Sequence, residues 1–114
     1  MASTVFNKIL RKEIPAEIVH EDELCIAFCD INPQAPTHVL IIPRKEIQGI
    51  NAMADEDVPL VGHLFRVARD LARAGGLEDG GYRLVINTGA DAGQTVFHLH
   101  VHLLAGRTLT WPPG

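Results

Sequence analysis

The chain has 114 residues, of which 46% are hydrophobic, so it is long enough for one domain and apolar enough to fill a core without metal or disulfide staples. This composition excludes a disordered protein, and no apolar run approaches the roughly 18 residues of a membrane-spanning helix. The formal net charge of -4 argues against a nonspecific nucleic-acid binder. We therefore expect a single domain over residues 1–114 that binds neither nucleic acid nor a membrane.

Hydrophobic periodicity predicts a short helix followed by three strands. Residues 5–12 place apolar side chains at helical spacing, with Thr4 or Ser3 available as the N-cap. The predicted strands cover residues 17–20, 24–31 and 37–43. An acidic turn joins the first two strands as a hairpin, and two prolines interrupt the ladder before the third, which has the composition of a buried strand.

A long helix and two more strands complete the pattern. Apolar residues recur at steps of three and four from about Asp57, and Gly75-Gly76 ends this helix. Strands are predicted over residues 82–87 and 98–104. The glycine-rich loop between them is either an anion-binding element or a flexible connector. The fold class is thus α+β, with five strands, a short early helix and one long helix covering the sheet.

The two cysteines are predicted to be reduced thiols. Cys25 and Cys29 lie in one predicted strand, where their Cα atoms would be about 13 Å apart. A disulfide needs Cα atoms less than about 7 Å apart. Because free thiols are typical of reducing compartments, we expect a cytoplasmic protein.

The most informative pattern is the alternation of histidine with aliphatic residues near the end of the sequence. A strand containing His98, His100 and His102 would point all three imidazoles to one face and the aliphatic side chains to the core. Three buried structural histidines are the less favoured alternative. Zinc is also less favoured, because the Cα atoms of His98 and His102 would be about 13 Å apart, too far to converge easily on one ion.

Nucleophilic catalysis by a neutral imidazole fits the alternation better. The central His100 is the best placed nucleophile if an acceptor such as a backbone carbonyl holds its Nδ1 proton, which leaves Nε2 free. His102 and a further histidine could then stabilise an oxyanion, together with amides of the loop around Gly93. Such a cluster suits a phosphorus centre, whose equatorial oxygens carry negative charge.

Several motifs resemble one known family. The segment HLHVHLL at residues 98–104 is similar to the histidine triad motif His-φ-His-φ-His-φ-φ, where φ is hydrophobic. The segments ILRKEIP (9–15), DINPQAPTH (30–38) and WPPG (111–114) extend the resemblance over almost the whole chain. The sequence therefore resembles the histidine triad (HIT) family, and within it the histidine triad nucleotide-binding protein branch.

The resemblance implies both a fold and a reaction. The fold would be a five-stranded antiparallel half-barrel sheet with one short and one long helix. The reaction would be hydrolysis of purine nucleoside phosphoramidates, including adenylylated lysine or amines, through a nucleotidyl-histidine intermediate. The catalytic residues implied are the nucleophile His100, His98 through its carbonyl, His102 and His38 at the phosphate, and Thr95 at the leaving nitrogen. The nucleotide-binding residues implied are Val5, Phe6, Ile9, Phe28, Asp30, Ile31, Asn87, Gly93 and Gln94.

Within this pocket the resemblance assigns the ribose hydroxyls to Asp30 and the base to an apolar slot. The phosphate and leaving-group side would be lined by Asn87, Gly93, Gln94 and Thr95. Two plainer interpretations stay open. Phe6, Ile9 and Phe28 could be ordinary core residues, and Asp30 could simply initiate the turn that follows it.

The sequence departs from the family pattern at two positions. Thr95 stands where the family commonly has Ser, and its additional methyl group puts the leaving-group preference in doubt. Cys29 stands where a histidine is frequent, which weakens a metal site borrowed from the family. No metal and no cofactor is therefore expected. His20 and His63 match no catalytic position and are expected on the surface or a helix face.

The resemblance also implies a homodimer in which the C-terminal residues, here including Trp111, approach the partner's active site. Two other functions remain open. One is a nucleotide-binding or protein-interaction module without relevant turnover, and the other is a dinucleoside polyphosphate hydrolase with a longer groove. An apolar slot rewards the stacking of either purine, so the pattern does not select adenine or guanine.

Overall fold

The computed structural model describes residues 4–114. Its elements in chain order are α1 (Val5–Leu10), β1 (Ile18–Glu21), β2 (Cys25–Cys29), β3 (Thr37–Pro43), α2 (Val58–Ala74), β4 (Tyr82–Val85) and β5 (Val101–Ala105), with 3-10 turns at Ile50–Ala52 and Asp55–Asp57. The strands form one sheet in the order β1-β2-β3-β5-β4, and every neighbouring pair is antiparallel. The predicted α+β fold with five strands, a short helix and a long helix is confirmed.

Strand alternation gives the sheet two apolar faces, each covered by one helix. On β2, Cys25 and Ala27 pack with Leu64 of α2, and we call this the α2 face. Ile26 and Phe28 point the other way and pack with residues of α1, on what we call the α1 face. The sheet is therefore buried on both sides, which explains why β2 and β3 are almost continuously apolar.

The long helix begins and ends where the sequence signals lie, whereas α1 ends at Leu10, two residues before its predicted end at Lys12. Lys12 has a φ of +61°, which a right-handed helix does not allow. The hydroxyl of Thr4 accepts a hydrogen bond from the amide of Asn7 and caps α1, so Thr4 is the cap of the two predicted candidates, and Ser3 lies outside the described residues. Pro59 lies in the first turn of α2, and that helix ends at Ala74, followed by Gly76 with a φ of +69°. Within residues 4–114, neither helix combines the length and the apolarity needed to cross a membrane.

The predicted strand over residues 98–104 is wrong at its start, because β5 begins at Val101. Ile41 pairs with Val101, so continuing this register would place Ile42 opposite His100 and then Pro43 opposite Leu99. Proline has no amide hydrogen, and the ladder stops there. The Leu99 amide instead donates to the carbonyl of Ile47 at 2.7 Å. The aliphatic alternation continues nonetheless, since Leu99 and Val101 are both buried on the α2 face.

The other strand boundaries differ by smaller amounts. β4 ends at Val85 instead of Asn87, and β2 ends at Cys29 instead of Ile31. At the end of β2, the amide of Asp30 still donates to the carbonyl of His38, but its carboxylate then accepts the amide of Asn32 and turns the chain. Local side-chain hydrogen bonding therefore ends this strand before its apolar pattern does.

Replacing either of two glycines by alanine should change stability in opposite directions. Gly106 has a φ of +96°, and an added Cβ would lie 2.8 Å from the Cβ of Pro36, so Gly106→Ala should lower the free energy of unfolding by roughly 2 kcal/mol or more. Gly62 is exposed within α2 with nothing within 4 Å of an added Cβ, so Gly62→Ala should raise it by up to about 1 kcal/mol. Urea unfolding of both variants measures the difference. Equal stability of the two variants would contradict this account of the turn after β5.

Candidate active site

Two histidines from neighbouring strands meet on the α1 face. His38 of β3 and His102 of β5 lie diagonally across the ladder, because Leu40 is the residue paired with His102. Nε2 of His38 lies 2.9 Å from Nδ1 of His102. The amide of Gln34 donates to Nδ1 of His38 at 3.0 Å. Nδ1 of His38 is therefore an acceptor, and in the neutral ring the proton is on Nε2.

This arrangement also determines the proton position on His102. Because Nε2 of His38 donates to Nδ1 of His102, the proton of neutral His102 must be on its own Nε2. Among the described side chains, His102 Nε2 is the buried polar atom without a hydrogen-bond partner. A buried N–H donor with nothing to bond is costly unless a ligand satisfies it, so this atom is a candidate contact for an anionic oxygen.

The neighbouring His100 has the opposite tautomer, with its proton on Nδ1. Its Nδ1 lies 2.7 Å from the backbone carbonyl of His98 and donates its proton there, which leaves an unprotonated Nε2. The edge of the ring packs against Phe6 of α1 with centroids 4.9 Å apart, and the ring centroid of His102 is also 4.9 Å away. The rings that carry the His100 lone pair and the His102 N–H are therefore neighbours.

The ring of His98, the remaining histidine of the motif, has a structural role. His98 is fully buried, and its Nε2 lies 2.8 Å from the carbonyl of Pro43, the acceptor left at the end of β3. Its Nδ1 lies 3.3 Å from the side-chain oxygen of Asn7 in α1. In the neutral ring Nε2 carries the proton, so this contact packs the ring against α1 without a hydrogen bond. All three imidazoles share the α1 side, as the alternation predicts, but His98 contributes to the site through its backbone carbonyl while its ring is enclosed.

Burial keeps these imidazoles neutral. It lowers the pKa of His38, His98 and His100 below the ordinary value, with smaller contributions from neighbouring groups. For His102, burial together with the nearby His100 and His38 lowers the pKa to about 4. Near neutral pH the site therefore offers an uncharged nucleophile and an uncharged donor.

Asp30 lies at the edge of this cluster and has two contacts. Its Oδ1 accepts the amide of Asn32 at 2.9 Å, so the plain turn-forming interpretation is part of its role. Its Oδ2 lies 3.5 Å from Nε2 of His38, and the side chain is 21% exposed. One oxygen thus holds the turn and the other remains within reach of a ligand.

The loop before β5 is held by a buried glutamine. The side-chain oxygen of Gln94 accepts the amide of Gly89 at 2.9 Å, and its Nε2 donates to the carbonyls of Gln48 and Val96. The side chain of Gln94 therefore shapes this loop and has little capacity left for a direct ligand contact. The neighbouring Gly93 and Thr95 are exposed, and Asn87 is half-buried.

The expected apolar slot is partly core and partly rim. Phe6, Ile9 and Phe28 are all buried and pack in one cluster on the α1 face, as the core interpretation expects. Val5 is 44% exposed and Ile31 is 97% exposed. The two rim residues are free to cover a ligand, while the three buried residues form the floor beneath it.

Asp30, His38 and His102 also have the donor atoms that a metal site needs. Donor atoms of Asp30, His38 and His102 lie within 4.8 Å of one another, which a cation requires. However, Nε2 of His38 and Nδ1 of His102 already share a proton at 2.9 Å, and a cation between them would have to replace that proton. The unpartnered Nε2–H of His102 needs an acceptor, which an anion supplies and a cation does not, so this arrangement is better matched to an anion.

Sequence reasoning missed three contacts that define this site: the amide of Gln34, the carbonyl of Pro43 and the side chain of Asn7. The two prolines flanking Gln34 do signal a rigid turn. No sequence signal shows which backbone group of a turn points at which imidazole nitrogen, because that depends on the packing of three separate elements.

The lowered histidine pKa values predict loss of stability in acid. The unfolded chain takes up protons on histidine below about pH 6.5, whereas folded His102 does so only near its pKa of about 4, so protonation favours unfolding within that window. The free energy of unfolding should therefore fall as pH drops from about 6.5 towards about 4. Urea unfolding at a series of pH values measures this, and His102→Asn should give a shallower slope. An identical slope in that variant would contradict the assignment.

Comparison with known proteins identifies the family. The HIT domain family matches residues 11–109 of the chain. An uncharacterized HIT-like protein of Synechocystis is 57% identical over 111 residues, covering 97% of this chain and 96% of that protein.

Solved structures agree with this match. A HIT family hydrolase from Legionella pneumophila superposes with a TM-score of 0.96 at 52% identity, covering 98% of this chain and 100% of that one. A histidine triad nucleotide-binding protein from Candida albicans gives a TM-score of 0.82 at 30% identity, covering 96% and 83%. The sequence match and the shared fold agree with the motif at residues 98–104, and this chain belongs to the histidine triad (HIT) family.

Proposed function

We propose that this protein is a hydrolase that cleaves the phosphorus–nitrogen bond of purine nucleoside 5'-phosphoramidates, including adenylylated lysine or amines. The observation that carries the proposal is the pairing of an unprotonated Nε2 on His100 with an unpartnered N–H on His102. Solved relatives named as HIT family hydrolases support hydrolysis in general, and the Candida relative is named as nucleotide-binding.

In the first step, the lone pair of His100 Nε2 attacks the α-phosphorus. A bond forms between that nitrogen and phosphorus, and the bond from phosphorus to the leaving nitrogen breaks with its electron pair on the amine. The proton stays on Nδ1 of His100, and the carbonyl of His98 that accepts its hydrogen bond stabilises the positive charge of the nucleotidyl-imidazole. The Nε2–H of His102 donates to a non-bridging phosphate oxygen as its charge builds up.

The leaving amine needs one proton, and we assign its transfer to Thr95. The residue is exposed in the loop before β5, and its hydroxyl relays a proton to the leaving nitrogen. In the second step, a water molecule attacks phosphorus from the side the amine has left, and the bond to His100 Nε2 breaks. The water supplies the oxygen of the nucleoside monophosphate and returns a proton to the site.

The nucleoside would lie between the α1 face and the turn after β2. We assign the ribose hydroxyls to Asp30, whose Oδ2 remains available on the ligand side. The base would rest on Phe6, Ile9 and Phe28, with Val5 and Ile31 at the rim. On the phosphate side we assign Gly93 and Asn87, while Gln94 supports the loop through its three backbone contacts.

We further propose that the whole chain acts as one HIT domain in a cytoplasmic homodimer. β4 is an edge strand of the sheet, and exposed apolar side chains lie on it and on α2, among them Tyr82 and Phe65. The C-terminal residues are attached beside this edge, since Arg83 donates to the carbonyl of Thr110, and Trp111 is 81% exposed. Both cysteines are free, in keeping with a reducing compartment.

The proposal predicts that His100→Ala abolishes turnover without abolishing nucleotide binding. Release of AMP from adenosine 5'-phosphoramidate should fall by at least about 10³-fold, because the variant lacks the nucleophile. AMP affinity, measured by calorimetry, should change little. Intact mass of an acid-free quenched reaction should show an adenylyl adduct in the wild-type protein only.

Other results would select the alternatives. Tight AMP binding by the wild-type protein without turnover would overturn hydrolysis and favour a binding module. Faster AMP release from diadenosine polyphosphates than from the phosphoramidate would assign the same nucleophile to dinucleoside polyphosphate hydrolysis.

A further inference from the structure

A second cluster of metal-binding side chains lies where the β1–β2 turn meets α2. Nε2 of His20 and Nε2 of His63 lie 2.7 Å and 2.8 Å from Oδ2 of Asp22. The Sγ of Cys25 lies 3.5 Å from the same oxygen. Donor atoms of His20, Asp22 and Cys25 all lie within 4.8 Å of one another. One carboxylate oxygen is thus surrounded by two imidazoles and a thiol.

A β-bulge brings His20 into this cluster. Ile18 of β1 lies opposite Phe28 of β2, but the register then shifts and His20 lies opposite Ala27. Because directly opposed residues share a face of the sheet, Ile18 is on the α1 face and His20 is on the α2 face. A regular strand would have pointed both residues to the same side, so the bulge redirects His20 towards Asp22.

The carboxylate of Asp22 is held in place for this contact. Its Oδ1 accepts the amides of Leu24 and Cys25 at 2.7 Å and 2.8 Å, which leaves Oδ2 facing the cluster. Burial alone would raise the pKa of Asp22, but hydrogen bonds from His20, His63 and the two amides outweigh it and hold the pKa well below its usual value. Asp22 is therefore ionised near neutral pH.

A second ion-paired group lies beside the cluster. The Nε of Arg44 donates to the backbone carbonyl of Asp22 at 2.8 Å, and its other end pairs with Glu21 at 2.9 Å. Glu21 also pairs with Lys12 at 2.9 Å, so it is shared between two cations and offsets part of their positive charge. The ionised Asp22 and a deprotonated Cys25 would together neutralise a divalent cation.

We propose that His20, Asp22 and Cys25 bind one divalent metal ion, with His63 orienting the Asp22 carboxylate from α2. This site lies on the α2 face, away from the histidine cluster of the active site, and it does not depend on the proposed function. The combination of imidazole, carboxylate and thiolate donors favours Zn²⁺.

The present distances are near those that zinc requires. Around a tetrahedral ion with bonds of about 2.0 Å to nitrogen or oxygen and about 2.3 Å to sulfur, donor atoms lie roughly 3.3–3.8 Å apart. The separation of Cys25 Sγ from Asp22 Oδ2 is already 3.5 Å. The His20 ring must withdraw from Asp22 by about half an ångström, and its side chain is 33% exposed and has room to do so.

Metal binding would release a proton from Cys25. Burial, together with the charge of Asp22, raises the pKa of this thiol to about 12, so the ion-free site carries the proton on sulfur. Binding forms the sulfur–metal bond and transfers that proton to solvent. Nε2 of His20, which donates to Asp22 Oδ2 in the ion-free site, must also give up its proton, to solvent or to its own Nδ1, before it can bind the ion. Since Cys25 belongs to the core, the bound ion would stabilise the fold at the β1–β2 turn.

Cobalt substitution tests the site with a spectroscopic readout that the active-site histidines cannot give. Co²⁺ bound by a thiolate has a sulfur-to-metal absorption band in the near ultraviolet, and Asp30, His38 and His102 contain no sulfur. Titration of the reduced wild-type protein with Co²⁺ at pH 8 should give this band at one equivalent. Cys25→Ser should lose the band, and the matched control Cys29→Ser should keep it.

Two further variants keep the proposal testable if Cys25→Ser fails to fold. His20→Gln, at a partly exposed side chain, should weaken Co²⁺ binding at least tenfold, and His63→Gln should weaken it by about tenfold through the carboxylate it orients. Zn²⁺ should raise the melting temperature of the wild-type protein and not that of His20→Gln. Absence of the band in the wild-type protein, or its persistence in Cys25→Ser, would overturn the site.

Discussion

The hydrogen bond from the Gln34 amide to Nδ1 of His38 determines where the protons of the active site lie. A backbone amide can only donate, so His38 must carry its proton on Nε2, and His102 must then accept on Nδ1 and keep its own proton on Nε2. The carbonyl of His98 can only accept, so His100 has the opposite tautomer. Two backbone groups, one donor and one acceptor, thus give adjacent imidazoles opposite roles.

Both backbone groups are positioned by proline. The Gln34 amide belongs to the turn between Pro33 and Pro36. This turn is held in place by Arg107, which donates to the Gln34 carbonyl at 3.1 Å. Pro43 ends β3, and its free carbonyl accepts from His98, which places the His98 backbone beside His100. The positions at which the sheet cannot continue are therefore the positions that build the site.

The two faces of the sheet divide the chemistry between them. The α1 face has the neutral histidine cluster, where burial favours uncharged imidazole and a ligand must supply the missing acceptor for His102. The α2 face has the core and, at its edge, the ionised Asp22 with His20 and Cys25. The first is suited to a phosphate and the second to a cation.

Periodicity alone predicted much of this fold. β3 was predicted at its observed bounds because it is apolar and limited by prolines on both sides, and α2 because its apolar stripe ends at two glycines. The predicted last strand begins too early, at His98 instead of Val101, because Pro43 on the neighbouring strand β3 ends the ladder. A pattern within one segment does not reveal a proline on its partner strand. The bulge at His20 was missed for the same reason: a register shift is a property of two strands.

The alternation of His98, His100 and His102 predicts the shared face of the three imidazoles in the candidate site, because the side chains keep alternating even where the ladder has ended. The sequence does not predict how each imidazole ring is oriented, because the orientation depends on backbone groups of Gln34 and Pro43 that are distant in sequence. Sequence reasoning placed His20 and His63 on the surface or a helix face, and His63 does lie on α2, but it gave no contact between them. Both are half-buried and share Asp22, which only the packing of α2 against the β1–β2 turn brings between them.

The most direct test of this account is the tautomeric state of the histidines at pH 7.5 by long-range ¹H–¹⁵N correlation NMR. The account predicts an Nδ1–H tautomer for His100 and Nε2–H tautomers for His38 and His102. A proton on Nε2 of His100, or on Nδ1 of His102, would remove the paired nucleophile and donor and contradict the account.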